Sequence, residues 1–436
     1  MPSGFVFLLI ALFGVHQYAT YPPQRDKNLP INDQVQEYLD ALDSTNWLEN
    51  SNKIGIGYNP LYGTPVCYTG SCQMEGFGRS IFKLNYLRPK PGTCTQKLIP
   101  ENVDLDCLPS TTWDANTESI STLHELHESI TNKVDAAGSG TYSTASFSYK
   151  TSVQTRYMVD NIVKKNTTTM QTTAQISYVK LSMFEPTMEL SDPFKYVINN
   201  LPCCNYDADT EEYIYDYILN YFGYTYLSTI LLGGIAQENV LINTESYQKM
   251  QANGLDIVNE AKAEFFITMG AKQQYTYNKN THDEFMTRVQ EKHVTTLGGD
   301  TSLTSIEQWS KTVPSNPVII KFSLQSIFNL LNQVRFPNDS LIQNKSVLIA
   351  HALHNYLNDP AYCYNNCTGH GTCVPSPYFQ FGICNCTERY SGVDCSIPKL
   401  IPASQITSRP AASSGTICVL YSVQFVILLF STFVFI

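Results

Sequence analysis

Phe222-Gly223-Tyr224-Thr225-Tyr226, then six residues, then Gly233-Gly234, is the stretch on which the fold turns. Paired glycines inside an apolar, strand-like run let a backbone bend sharply or accept a close neighbour, because no Cβ stands in the way. An ordinary bulge would use the same pair, so the flanking sequence has to decide. Upstream, the composition turns acidic at Asp207, Asp209 or Thr210 offers an N-cap, and Ile214, Tyr217, Ile218 and Tyr221 recur at helical spacing. This predicts an amphipathic helix that feeds directly into the aromatic-glycine run. Earlier still, Gly55, Gly57, Asn59, Pro60, Gly63 and Pro65 lead into residues 80–86, whose alternation of apolar and polar side chains predicts a half-buried strand.

The decisive stretch resembles the signature of the membrane-attack-complex/perforin (MACPF) superfamily: aromatic, Gly, Thr or Ser, His, aromatic, six residues, Gly, Gly. Phe222, Gly223, Tyr226, Gly233 and Gly234 match at that spacing. Tyr224 and Thr225 stand where Thr or Ser and His are usual, so no role of that His carries over. Leu201-Pro202 before the helix, and Trp309, Pro317 and an apolar run from Phe322 to Leu331 read as helical after it, extend the resemblance over residues 50–396. The resemblance implies an α+β fold, a bent and twisted antiparallel sheet flanked by helical clusters, with the glycine pair at the bend. It also implies perforin-like pore formation. Subunits would assemble as a homo-oligomeric ring or arc on a lipid membrane, and each would unfurl two helical clusters into β-hairpins of a transmembrane barrel.

Each spanning strand then needs about 9–11 residues alternating between lipid and lumen. Ala145, Phe147, Tyr149, Thr151 and Val153 fall on one parity, with Ser146, Ser148, Lys150, Ser152 and Gln154 on the other. Small residues at 136–140 precede this segment, and a Thr-rich run at 166–173 follows it. A less regular alternation places Phe265, Ile267, Met269 and Ala271 opposite Phe266, Thr268, Gly270 and Lys272. Ala145, Phe147, Tyr149, Val153, Phe265, Ile267 and Met269 are therefore the candidate membrane-inserting residues, although a strand of any soluble sheet alternates too. A glycosylation sequon at Asn166 falls within the first region, where a glycan could remain at a hairpin's outer end but could not readily cross a bilayer. Further sequons start at Asn338, Asn344, Asn366 and Asn385.

Thirteen cysteines punctuate the 436 residues, one of them, Cys418, inside a C-terminal apolar run. The six from Cys363 to Cys395 have gaps of three, five, ten, one and eight residues and close on Tyr390-Ser391-Gly392-Val393-Asp394-Cys395. That pattern resembles an EGF-like domain, which implies the pairs Cys363–Cys373, Cys367–Cys384 and Cys386–Cys395. A unit of about 35 residues buries too little apolar surface to hold together without such bridges. Residues 358–362 offer only part of the polar set that calcium-binding members carry. The pairing of Cys67, Cys72, Cys94, Cys107, Cys203 and Cys204 is left open by the sequence.

Residues 5–15 are apolar and followed by small residues, the pattern of a signal peptide. The apolar run 417–436 follows small residues at 411–415 and reads as a GPI-attachment signal or a membrane anchor. The expected organisation is a signal peptide at 1–20, a MACPF domain at 21–350, an EGF-like domain at 351–398, a linker at 399–415 and a hydrophobic tail at 416–436. This directs the chain into the secretory pathway, to the cell surface or beyond.

A net charge of −10 without a dense basic block argues against nucleic acid as a partner. His124-Glu125-Leu126-His127 is one residue short of the zincin motif and reads as a solvated helix face. With no Gly-x-Ser-x-Gly elbow and no P-loop, the expectation is a non-enzyme with no catalytic residue, cofactor or metal. The alternative to a pore former is a non-lytic, surface-tethered protein of the same fold acting in adhesion or signalling, with the EGF-like module offering a surface to a protein partner.

Overall fold

The computed structural model describes residues 46–60, 67–69, 76–108, 115–134, 152–271, 275–357, 363–375 and 382–399. In chain order its strands begin with β1 (Ile56–Tyr58), β2 (Phe77–Ser80), β3 (Tyr86–Leu87), β4 (Ile99–Pro100), β5 (Val103–Cys107) and β6 (Ala115–Ile120). Then come β7 (Thr167–Met183), β8 (Thr225–Asn243), β9 (Val289–Leu297) and β10 (Val318–Ser326). All but the β3–β4 ladder join one antiparallel sheet. Its spine is β7 paired with β8, 17 and 19 residues long. β7 opens on a run rich in threonine, and Ile and Val recur along both strands, as a pleated and largely buried surface favours.

The outer strands come in end-to-end pairs that change over at one level of this spine. β10 leaves β8 at Gly233, and β9 takes over at Ile235. Across the sheet, β6 leaves β7 at Ala174, and β5 takes over at Val179, with Tyr178 bulged between. Above this line lies a large apolar core that includes Tyr58, Val179, Leu181, Leu227, Ile230, Leu232 and Phe322. Below it, alternate residues of β8 face opposite layers. Ala236, Glu238, Val240 and Ile242 face the helices Thr244–Ala252, Ile257–Thr268 and Lys279–Met286, while Gln237 and Asn239 bond to the backbone of Cys67 and Tyr68 on the other side.

Helix Ala208–Ile214 is capped by Asp207, whose Oδ1 accepts from Thr210 N at 2.9 Å, two residues before the nearer expected cap. The helix continues as a wider turn over Tyr215–Leu219. Ile214 and Ile218 are buried, while Tyr217 and Tyr221 face solvent. Two sequence expectations are corrected. Residues 322–331 are the end of β10 and a short 3-10 turn, Ile327–Leu330, not an α-helix. A run this short, divided between a strand end and a turn, fits either period. Residues 80–86 are not one strand: Ile81 and Phe82 are both buried in succession, and the chain then turns outward at Lys83, which pairs with Glu189 and Asp192.

Helix Ile342–Leu357 crosses the boundary expected at 350, with Ile342, Leu348, Ile349 and Ala352 inside the core around Phe194 and Phe222. Its Lys345, 4% exposed, caps the C-terminus of helix Asp192–Asn199 by donating to the carbonyls of Ile198 and Asn199 at 3.0 and 2.7 Å, and it pairs with Asp339 at 2.7 Å. Lys345→Met keeps the stem but removes the ammonium paired with Asp339 Oδ2 and its donors to both carbonyls, leaving the Ile198 carbonyl with Leu201 N and Asp339 Oδ1 with Leu341 N. We expect a loss of about 2 kcal/mol in denaturant unfolding.

Beyond it, β11 (Gly371–Pro375) pairs with β12 (Gly382–Cys386), and β13 (Tyr390–Ser391) with β14 (Ile397–Pro398). Bonds Cys363–Cys373, Cys367–Cys384 and Cys386–Cys395 form the centre of this disulfide-rich unit. Cys94 bonds Cys107 and Cys203 bonds Cys204. Cys67 is also disulfide-bonded.

Candidate membrane-insertion apparatus

The signature residues occupy two separate packing sites. At the first, Gly223 adopts φ +87°, and a Cβ there would lie 2.4 Å from the Tyr58 carbonyl. The neighbouring Phe222 carbonyl is approached so closely by Gly57 and Gly78 that a Cβ on either would fall within 2.4 Å of it. Phe222 itself is fully buried against Phe194, and Tyr226 against Phe82.

At the second, Gly233 and Gly234 lie on the changeover line. A Cβ on Gly233 would stand 1.9 Å from the Ile176 carbonyl oxygen, beside the β7 bulge. One on Gly234 would stand 2.8 Å from the indole of Trp309. That indole, on helix Ile306–Thr312, is fully buried and donates to the Gly298 carbonyl at 2.8 Å. The bend is thus a seam of close backbone contacts backed by one large ring.

Below the seam, four strand ends come level. Ile120 ends β6 opposite Thr169, Thr167 opens β7 opposite Asn243 at the end of β8, and Val289 opens β9 opposite Ile242. The strands lie in the order β6, β7, β8, β9. Residues 121–166 connect the first two and residues 244–288 the last two, so both connections leave from the same edge. Each has more than the residues needed for two spanning strands of about 9–11. The described parts of both are helical: Leu123–Val134 and Val153–Val159 in the first, with Asp160–Lys164 as a π-helical turn, and three helices in the second.

Strand β9 holds both helical layers. Side chains alternate across a strand, so Glu291 and His293 face the first connection while Lys292 faces the second. Tyr157 Oη reaches Glu291 at 3.1 Å and His293 Nε2 at 2.9 Å, and Lys165 pairs with Glu291 at 3.4 Å. Burial, with Glu291 beside it, pushes the Tyr157 hydroxyl up to about 12. Gln154, which begins the same layer, accepts from the Tyr68 and Thr69 amides at 2.7 and 3.0 Å, and Thr295 of β9 donates to the Thr69 carbonyl at 3.1 Å.

On the opposite face, Lys292 pairs with Glu264 at 2.6 Å and lies 3.8 Å from Glu238. Glu264 and Glu260, one turn apart on helix Ile257–Thr268, flank His282 from both sides: Nε2 to Glu264 at 3.0 Å and Nδ1 to Glu260 at 3.1 Å. Glu238, Glu260, Glu264 and His282 are all buried. Burial pushes the Glu238 carboxyl up to about 7 and raises Glu260 too. Burial also acts to raise Glu264, but Lys292 and His282 outweigh it and hold that carboxyl below its ordinary range. The sequence reading missed this cluster, whose five residues come from four elements. The available signal was a glutamate in the middle of a strand otherwise bound for a core.

Among the candidate inserting residues, Ala145, Phe147 and Tyr149 lie outside the described residues. Val153 opens a helix and is exposed. Phe265, Ile267 and Met269 belong to helix Ile257–Thr268 and its C-terminal cap, not to a strand. Phe265 and Met269, four apart, share the buried face under Trp309, and Ile267 is half-buried. Helical docking explains this, since i and i+4 meet the sheet where i and i+2 would in a strand. Asn166, Asn338, Asn344, Asn366 and Asn385 are all exposed. His124 pairs with Glu128 on the surface of helix Leu123–Val134, while Leu126 between the two histidines is buried. Among the described residues no helix is long and apolar enough to cross a membrane.

A long bent antiparallel sheet whose strand connections are helical over their described parts defines a protein of the MACPF class. The sequence profile of the MAC/Perforin domain matches residues 32–368, and the chain belongs to that family. A search of curated proteins finds no match. Solved structures similar to this chain include GNIP1Aa from Chromobacterium piscinae, at 16% identity and TM-score 0.48, covering 71% of this chain and 56% of that one. Astrotactin-2, described as a conserved vertebrate-specific and perforin-like membrane protein involved in neuronal development, is similar at 12% identity and TM-score 0.37, covering 79% and 50%. A Bacteroides thetaiotaomicron protein with a MAC/Perforin domain is similar at 10% identity and TM-score 0.37, covering 77% and 62%. The chain thus spans between half and two thirds of those structures' lengths.

Proposed function

We propose that the protein oligomerises on a target lipid membrane and inserts residues 121–166 and 244–288 as two β-hairpins of a transmembrane barrel. The observation that carries this reading is the level row of four strand ends. Two hairpins grown from it would extend β6 to β9 downward with their hydrogen-bond ladders unbroken, and a spanning sheet must keep every backbone group paired. The sequon at Asn166 fits this geometry. Asn166 immediately precedes β7, and its carbonyl accepts from Thr244 N at 2.9 Å, so a glycan there would sit at the hairpin's root and stay outside the bilayer. Its exposed sequons and disulfide-bonded cysteines suit the secretory pathway, where thiols are oxidised.

Dye release from liposomes by the purified chain without residues 416–436, with rings or arcs visible by electron microscopy, is the expected result. No release across anionic, zwitterionic and sterol-containing vesicles would favour the second reading, a surface-tethered protein acting in adhesion or signalling. The apolar run 417–436 keeps that reading open, because a tether serves adhesion more directly than lysis.

A further inference from the structure

The cluster beneath the second connection contains more carboxylate than its cations can neutralise. Three buried glutamates face one ammonium and one imidazole. Neither oxygen of Glu238 makes a well-formed hydrogen bond among the described residues; the Thr268 hydroxyl and the Lys292 ammonium, the latter 3.8 Å away, offset its burial only in part. Thr172 of β7, paired opposite Glu238, and Thr117 of β6 beside it bring no charge. Around Glu260, the further groups are Asp256 at the helix N-cap and the Tyr275 hydroxyl, and the Tyr277 ring lies against His282. A neutral imidazole has one N–H, yet His282 sits between two carboxylates. Satisfying both contacts requires one more proton, on the ring or on a glutamate.

We propose that docking of helix Ile257–Thr268 on the sheet is proton-linked, with the buried Glu238 and Glu260 holding protons that are released when the helix lifts away. The cluster is then a latch that tightens in acidic surroundings and loosens as the pH rises. Docked, Glu238 keeps its proton up to about pH 7. Hydrated, it would lose it in the ordinary carboxylate range near 4.3. Opening therefore releases a proton between these limits, and raising the pH draws the equilibrium toward the open state. Glu260 acts in the same direction. Glu264 acts in the opposite one, but its contribution is complete above the ordinary carboxylate range and is lost only in stronger acid. Lys292 is raised by its glutamate partners against the effect of burial, and it titrates far above this window.

The proposal concerns docking alone and stands whether or not the protein forms pores. Hydrogen exchange of the full disulfide-bonded chain, corrected for intrinsic rates, tests it without membranes. From pH 6 to pH 8 the opening equilibrium of residues 257–268 should rise about tenfold, while helix Ile342–Leu357 serves as an internal reference. Glu238→Gln, which copies the protonated carboxyl, should flatten the profile and keep the helix protected at pH 8. Glu260→Gln, a milder change at the cluster's edge, should reduce the slope and serves if Glu238→Gln does not fold. A wild-type profile that is flat or runs the other way overturns the proposal, as does a full slope retained in the folded variants.

Discussion

Trp309→Ala is expected to destabilise the protein by about 3–5 kcal/mol, the range for removing a large, fully buried aromatic side chain. The indole fills the space that the absent Cβ of Gly234 leaves, and its N–H satisfies the Gly298 carbonyl. Alanine opens a cavity at the one level where β6, β5, β9 and β10 all end or begin, and where the spine already carries a bulge. The layers there cannot close in easily, because Gly233 and Ile176 already touch backbone to backbone. Trp309→Phe retains most of the ring volume and loses the hydrogen bond, so its cost should fall to about 1–2 kcal/mol. Guanidinium unfolding of the three proteins measures both. If Trp309→Ala shifts the midpoint no more than a surface substitution does, the seam is not what holds the bend.

How much of this was legible in the sequence depends on how local each feature is. Phe222, Gly223, Gly233 and Gly234 could be found because they lie within thirteen residues of one another. Why they are needed could not be read there. Gly223 is fixed by Tyr58, and the Phe222 carbonyl by Gly57 and Gly78, more than a hundred residues earlier. The cap falls at Asp207 and not at Asp209 or Thr210, because the acidic run 207–212 holds several capable side chains and only backbone geometry chooses among them. The apolar run 322–331 reads as helical for a different reason: the alternation of Phe322-Ser323-Leu324-Gln325 lasts only four residues before the 3-10 turn at Ile327–Leu330 replaces it, too short a stretch for one period to exclude the other.

The buried charge cluster lies at the far end of that scale. Glu238, Glu260, Glu264, His282 and Lys292 are separated in sequence and joined only by the docking of a helical layer on β8 and β9. Alternation within Glu291-Lys292-His293 could have been seen, but not that its two sides serve two different layers. This division has a mechanical consequence for the proposed insertion. A displacement of β9 from β8 would loosen both helical layers together, so the two hairpins need not be released by separate events.

The same helix provides the sharpest test of insertion, because its two conformations sort residues differently. As a strand, 257–271 would put Ile257, Ala261, Ala263, Phe265, Ile267, Met269 and Ala271 on one side with Asn259 as the one polar member, and Val258, Glu260, Lys262, Glu264, Thr268 and Gly270 on the other with Phe266 as its one large apolar member. The glutamates confined beneath the docked helix would then face a hydrated lumen, and the apolar set would face lipid. Ile267→Lys should therefore leave the soluble fold intact, since Ile267 is only half-buried in the helix. In a barrel it would carry a charge into lipid, at about 2–4 kcal/mol per subunit near the bilayer midplane. Repeated around a ring, that cost should reduce dye release by well over tenfold. Val258→Lys is the matched control, because Val258 is 44% exposed in the helix and lumen-facing in the strand. It should release dye nearly as well as the parent. Equal activity of the two variants, with unchanged circular dichroism, would mean that residues 257–271 do not span the membrane as a strand.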